Sequence, residues 1–126
     1  MLLILDSTFV IDHLKGDPEA GARWRRIFEE GDQPVVTEVI VCEVRAGLHD
    51  KDEAILERFL LPTEFVQPGR ETALLAGRWR ADIRTRGRTL GLPDSLIAAT
   101  AFHLGGGVVT RNVRDFGLTP VRIESY

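Results

Sequence analysis

Four acidic residues stand where a carboxylate can do chemistry: Asp6 at the end of the apolar run LLIL, Glu43 within VTEVIVCEVRAGL, Asp94 directly after Pro93, and Asp115 in NVRDFG. Three of them have plain structural accounts. Asp6, or Ser7 beside it, can cap a following helix; Asp94 suits the positive end of a helix dipole; Asp115 suits a turn. Glu43 is harder to explain. Residues three and four apart share a helix face, which sets it with Val39, Ile40, Ala46 and Gly47, all apolar or without a side chain. A carboxylate there costs several kcal/mol or takes up a proton unless something compensates it. A salt bridge to a buried arginine, or a face more exposed than the pattern suggests, are the structural alternatives to a functional role.

Taken together the four acids are more informative. Carboxylates gathered at one site raise one another's pKa, and a divalent cation removes that penalty. With only oxygen donors, no Cys pair and no closely spaced His, the set points to Mg²⁺ or Mn²⁺ over zinc. His13, His49 and His103 are scattered and read as surface or helix-packing residues.

The elements that must position these acids can be read along the chain. LLIL is a buried strand, followed by a helix to about Lys15-Gly16; Asp17-Pro18 opens a helix through Trp24 and Phe28 to Gly31; QPVV is a second strand. Thr37 caps the helix that carries Glu43, another helix covers roughly 51–60, and PTEFV alternates as a third strand. Pro68-Gly69 introduces an arginine-rich amphipathic helix with Leu75, Trp79 and Ile83 on one face and Arg80, Arg84 and Arg88 beside them. After GRTLGLP comes the apolar helix DSLIAATAFHLGG, then the strand VVT, the helical turn NVRDFG and the strand PVRI. Such alternation predicts one three-layer α/β domain, residues 1–126, around a mostly parallel sheet. In such sheets ligands sit beyond the carboxyl ends of the strands, where Asp6, Thr110 and Asn112 fall.

Length and composition set the frame. A chain of 126 residues is large enough to bury one core without disulfides. The single Cys42 reads as a small buried hydrophobe and fits a reducing compartment. The start MLLILDST has neither a basic flank nor an apolar run long enough for a signal peptide or a membrane span, so a cytoplasmic protein with no membrane association is expected. Formal net charge is −3, yet residues 69–90 set six arginines against Glu71 and Asp82, giving +4 on that segment and −7 on the rest. One basic segment sits on an acidic body.

The segments LDSTFVIDHLKG, TEVIVCEVRAGL, PDSLIAATAFHLGG and VVTRNVRDFG, in this order and spacing, resemble the PIN domain. The likeness is greatest to its VapC-like toxin branch of toxin–antitoxin pairs. The resemblance implies a PIN-like α/β fold and a metal-dependent endoribonuclease whose acids converge over the C-terminal edge of a parallel sheet. It implies catalytic and Mg²⁺-binding roles for Asp6, Glu43, Asp94 and Asp115, with Asp6 and Asp94 the most direct ligands and Mn²⁺ an alternative ion. Ser7, Thr110 and Asn112 occupy supporting positions. Many relatives carry Asp where this chain has Asn112, a weaker, neutral donor, which leaves open whether one metal or two bind.

The same resemblance implies an RNA substrate, a small cognate antitoxin that covers the acidic site, and a homodimer or toxin–antitoxin hetero-oligomer. Arg80, Arg84 and Arg86 are the expected RNA-contacting residues, since a polyanion must approach acids that would otherwise repel it; a solvated face or a protein-docking face are the other readings of this helix. Trp79 reads as core. A haloacid-dehalogenase-type phosphotransferase would need a second Asp at the position of Thr8. The remaining alternative is a PIN-like module that binds RNA or protein without cutting.

Overall fold

In a computed structural model describing residues 1–126, five strands form one all-parallel sheet in the order β3-β2-β1-β4-β5. The strands are β1 (Leu2–Leu5), β2 (Gln33–Thr37), β3 (Glu64–Val66), β4 (Gly107–Val109) and β5 (Arg122–Glu124). Leu3, Ile4 and Leu5 are all fully buried although successive side chains point to opposite faces, so helices cover both sides of the sheet. The helices are α1 (Ser7–Leu14), α2 (Pro18–Glu29), α3 (Glu38–Ala46), α4 (Glu53–Leu60), α5 (Arg70–Thr85), α6 (Leu92–Leu104) and α7 (Val113–Phe116), with a short 3₁₀ turn at Asp50–Asp52.

Chain order explains where a site can form. From β1 the chain winds outward through β2 to β3, then returns along α5 and α6 to place β4 on the other side of β1. The direction of winding reverses between β1 and β4. A crevice opens at such a switch point beyond the strand ends, because the loops leaving the two strands turn apart. Asp6 directly follows β1 and Thr110 directly follows β4.

Helix α6 packs against β1 and β4, with α5 lying along it, while α1 packs on α2 and α3. The aromatic side of α2 is closed by Trp24 stacked on Phe59 at 4.5 Å and meeting Phe28 edge-on at 4.8 Å. His13 fills space against Trp24 and Phe59, and burial lowers its pKa. His103 is paired with the Thr72 hydroxyl at 2.8 Å, and His49 is exposed, so the histidines serve packing and surface as expected. Trp79 is half-buried, edge-on to Phe102 at 5.6 Å and packed on the core.

Two local expectations are corrected. Cys42 is exposed: Ile40 and Val44 take the core-facing side of α3, and a residue two positions from each lies about 200° around the helix. Thr37 occupies the N-cap position of α3 but makes no side-chain capping bond; it is still the last residue of β2, extended, buried and in register with Val66.

Helix α6 ends at Gly105 in the left-handed conformation (φ +65°), and Gly106 then passes so close to β1 that a Cβ would meet the Leu2 carbonyl oxygen at 2.2 Å. Neither backbone can retreat, since Leu3 is paired to Gly107 on one side and Pro34 on the other. Gly106→Ala is therefore expected to destabilise the fold by about 2 kcal/mol, lowering the melting temperature by several degrees. A thermal melt against wild type measures it.

Candidate active site

Asp6 is the best-held of the acids. Its residue is 2% exposed, and its Oδ2 accepts from the Thr8 hydroxyl at 2.7 Å and the Thr110 hydroxyl at 2.8 Å. Although it sits at the N-cap position of α1, its side chain makes no capping bond. The carboxylate thus bridges the first turn of α1, through the Thr8 side chain, and the residue after β4, through Thr110. Thr110 adds a second tie, its Oγ1 accepting the Asn112 backbone N–H at 2.9 Å, so one hydroxyl sets both the acid and the start of the next loop.

Glu43 lies half-buried at the edge of the core face of α3, and the Ser7 hydroxyl donates to its Oε1 at 2.8 Å. Ala46 and Gly47 are exposed, so its face is less apolar than the sequence pattern suggests. No arginine or lysine pairs with it. The compensation found in the chain is a neutral hydroxyl from α1.

Asp94 and Asp115 are drawn together by Asn112. Its Nδ2 donates to Asp115 Oδ2 at 3.0 Å and to Asp94 Oδ2 at 3.3 Å, while its Oδ1 caps α7 by accepting the Asp115 backbone N–H at 3.3 Å. That backbone donor fixes which way the amide faces. An aspartate at this position would add a fifth negative charge and lose both donated bonds. Asp94 falls in the first turn of α6, which begins two residues earlier at Leu92 with Gly91 as its cap, so Asp94 is not used for capping.

The four acids feel one another. The Asp94 carboxyl is pushed up to about 6, first by burial and then by the negative charges of Asp6, Asp115 and Glu43. No three acidic, histidine or cysteine side chains are grouped closely enough to close around an ion by themselves. An oxygen-only set of uncompensated acids suits a hard cation that keeps much of its water, as Mg²⁺ does.

Sequence reasoning overlooked three residues that shape this edge. Thr8 was passed over as a ligand to Asp6, although a hydroxyl two residues after an aspartate is a recurring local pairing. Arg111, between Thr110 and Asn112, faces away from the acids and binds Asp17 at 2.8 Å, Glu19 at 3.3 Å and Asp12 at 3.5 Å. Its guanidinium lies 4.6 Å from the centre of the Tyr126 ring, and Tyr126 in turn donates to Asp12 at 2.6 Å. No sequence signal joins residues so distant in the chain. Of the arginines singled out on α5, Arg80 donates from Nε to the Leu90 carbonyl at 3.1 Å, Arg84 is exposed, and Arg86 pairs with Asp82 at 3.3 Å. Arg80 and Arg84 share a hollow with Arg88, which takes the third place there.

A PIN domain profile matches residues 3–118. The chain belongs to the PIN domain family. Among characterised PIN-family proteins it is similar to Ribonuclease VapC19 of Mycobacterium tuberculosis, 30% identical over 117 residues that cover 93% of this chain and 94% of that one. The VapBC complex of Salmonella typhimurium, solved bound to DNA, superposes with a TM-score of 0.85 at 27% identity, covering 99% of this chain and 98% of that one. VapBC2 of Rickettsia felis, solved with a DNA fragment from its promoter, gives 0.88 at 18% identity, covering 100% and 99%, and shows the fold.

The raised Asp94 pKa carries a pH dependence for the metal-free protein. An acid held above its ordinary value binds its proton more tightly folded than unfolded. Stability therefore falls as pH climbs from about 4 to about 6, and the deficit persists above that range. Two pH units would correspond to about 3 kcal/mol, reduced by solvent screening of a half-exposed group to about 1 kcal/mol. In EDTA at neutral pH, Asp94→Asn is expected to melt about 4 °C higher than wild type, with the gap closing below pH 4. Equal melting temperatures across that range would show that Asp94 bears no such repulsion.

Proposed function

We propose that this PIN domain is a metal-dependent endoribonuclease, the toxin of a toxin–antitoxin pair, which hydrolyses RNA phosphodiester bonds and so inhibits translation. The observation that carries the reading is the convergence of Asp6, Glu43, Asp94 and Asp115 at the switch point of the sheet, with Asp94 raised by burial and then by the charge of the other three. Similarity to a protein named as a VapC ribonuclease supports the reaction class, and similarity to solved VapBC complexes supports an antitoxin partner; assembly as a homodimer or toxin–antitoxin hetero-oligomer is part of the same proposal.

Mg²⁺ is the proposed ion, with Mn²⁺ able to replace it; when bound it supplies positive charge to phosphate oxygens and makes a coordinated water more acidic. Asp6 and Asp94 are its nearest holders, with Glu43 and Asp115 contributing directly or through water. Thr110 and Thr8 hold Asp6 in orientation by donating to the oxygen that faces them. Ser7 holds Glu43 in rotamer, and Asn112 keeps Asp94 and Asp115 at one separation. These positioning groups are neutral, so they orient the acids without competing with the cation for them. Orientation of this kind matters because partners behind metal ligands typically contribute 10–100-fold in affinity or activity.

Purified protein, freed of any antitoxin, is expected to cleave structured RNA in Mg²⁺ or Mn²⁺ and not in EDTA. Asp6→Asn and Asp94→Asn should each lower the rate at least about 100-fold with the fold intact by circular dichroism. Thr110→Val should lose about 10-fold through a misdirected Asp6. Folded protein that leaves every RNA intact would favour a non-catalytic binding module, and cleavage unaffected by both Asn variants would remove these acids from the reaction.

A further inference from the structure

The corner between α5 and α6 holds an unusual concentration of free positive charge. Arg80, Arg84 and Arg88 line one shallow hollow of about 30 Å³ together with Thr89 and Leu90. None of the three arginines has an acidic partner within salt-bridge distance; the neighbouring Asp82 is used by Arg86 instead. Three like charges around one hollow repel one another, and no acidic side chain of the chain relieves them. Arg80 is also fixed in place, since its Nε–H is bound to the Leu90 carbonyl, which leaves its terminal nitrogens available to a ligand.

Three further facts identify the kind of ligand. The hollow has room for about two oxygen-sized groups, which suits the unesterified oxygens of a phosphate. Guanidiniums present paired N–H donors that match a phosphate's oxygens. The corner also leads directly into α6, whose first turn carries Asp94, so the hollow's Leu90 stands four residues before that acid in the chain. Arg111, in the loop between Thr110 and Asn112, is committed to Asp12, Asp17 and Glu19, and Arg114 stands exposed on α7 as a single charge outside the hollow.

We infer that Arg80, Arg84 and Arg88 form a phosphate-holding subsite that grips the RNA backbone beside the bond to be cut. This rests on the endoribonuclease reading and adds to it the place where the substrate is anchored. The subsite reads backbone and not bases, so it sets the register of the strand over the acids without contributing sequence preference. It also resolves a conflict in the chain: the acids that hold a cation repel a polyanion, and the unpaired arginines draw it in from the flank.

The test uses the full chain carrying Arg84→Ala and Arg88→Ala, both exposed, and leaves the structurally bonded Arg80 in place. A charge-matched control carries Arg70→Ala and Arg78→Ala, which are on the same helix but do not line the hollow. Binding of a short fluorescent single-stranded oligouridylate is followed by anisotropy over a salt series in the Asp6→Asn background, where no cleavage intervenes. Losing two phosphate contacts should weaken binding at least about 10-fold and flatten the slope of log K against log salt by about 1.4. In the otherwise wild-type chain KM should rise at least about 10-fold with kcat within about twofold, and Arg84→Lys with Arg88→Lys should recover part of the loss; the control should change either quantity less than about twofold.

Equal losses in the two double variants would reduce the effect to general charge and overturn the subsite. Unchanged RNA binding combined with lost binding of the cognate antitoxin would assign the corner to an acidic protein segment and overturn it equally. Failure of the nuclease reading would be seen separately, as a wild-type chain that cuts no RNA while the anisotropy series still reports whether the hollow holds phosphate.

Discussion

Mutual repulsion among four carboxylates is the constraint around which this molecule is built. Acids brought together at the end of a parallel sheet would separate, protonate or find cationic partners if the chain allowed it. Here none of the four is paired with an arginine or lysine. Each is held by neutral donors: two threonine hydroxyls on Asp6, a serine hydroxyl on Glu43, and one amide shared by Asp94 and Asp115. Neutral donors orient a carboxylate without cancelling its charge. The charge that remains adds to burial in raising Asp94, and it is also what a divalent cation would satisfy.

The rest of the fold serves to keep that arrangement from relaxing. Reversal of winding between β1 and β4 brings the residues after both strands to one edge, and burial of Leu3, Ile4, Leu5, Val108 and Val109 leaves Asp6 and Thr110 little freedom to move apart. Helix α6 is packed against the same two strands and delivers Asp94 to that edge. On the outer side, Arg111 ties the loop after β4 to the α1–α2 turn through Asp12, Asp17 and Glu19, with the Tyr126 ring beneath it. The positive charge of Arg111 is thereby engaged by Asp12, Asp17 and Glu19, while the three arginines at the α5–α6 corner keep theirs unpaired.

Much of this was legible in the residues themselves. The alternation of apolar strands with capped helices gives the element order because periodicity and capping are local properties. The acids were legible as a group because Glu43 breaks the pattern of its own helix and the others fall at strand or helix ends. What escaped depends on distance in the chain. Cys42 was expected inside from its apolar neighbours, but which side of α3 meets the core is decided by packing. Arg86 caps the end of α5 and pairs with Asp82, whereas Arg88, beyond the turn at Gly87, lines the hollow with Arg80 and Arg84. Asn112 read as a weak metal donor in a supporting position; that it supports Asp94 and Asp115 through one amide is set only once α6 and α7 are side by side.

The claim that unrelieved acidic repulsion defines the site is tested most directly by counting protons. Mn²⁺ can be titrated into the protein at pH 5.5 in two buffers of different ionisation enthalpy, with Asp94→Asn in parallel. If Asp94 is held near 6 by burial and by its three acidic neighbours, wild type releases well over half a proton per ion bound, and the Asn variant releases close to none. Wild type that binds the ion without releasing a proton, or that releases the same amount as Asp94→Asn, would contradict the account.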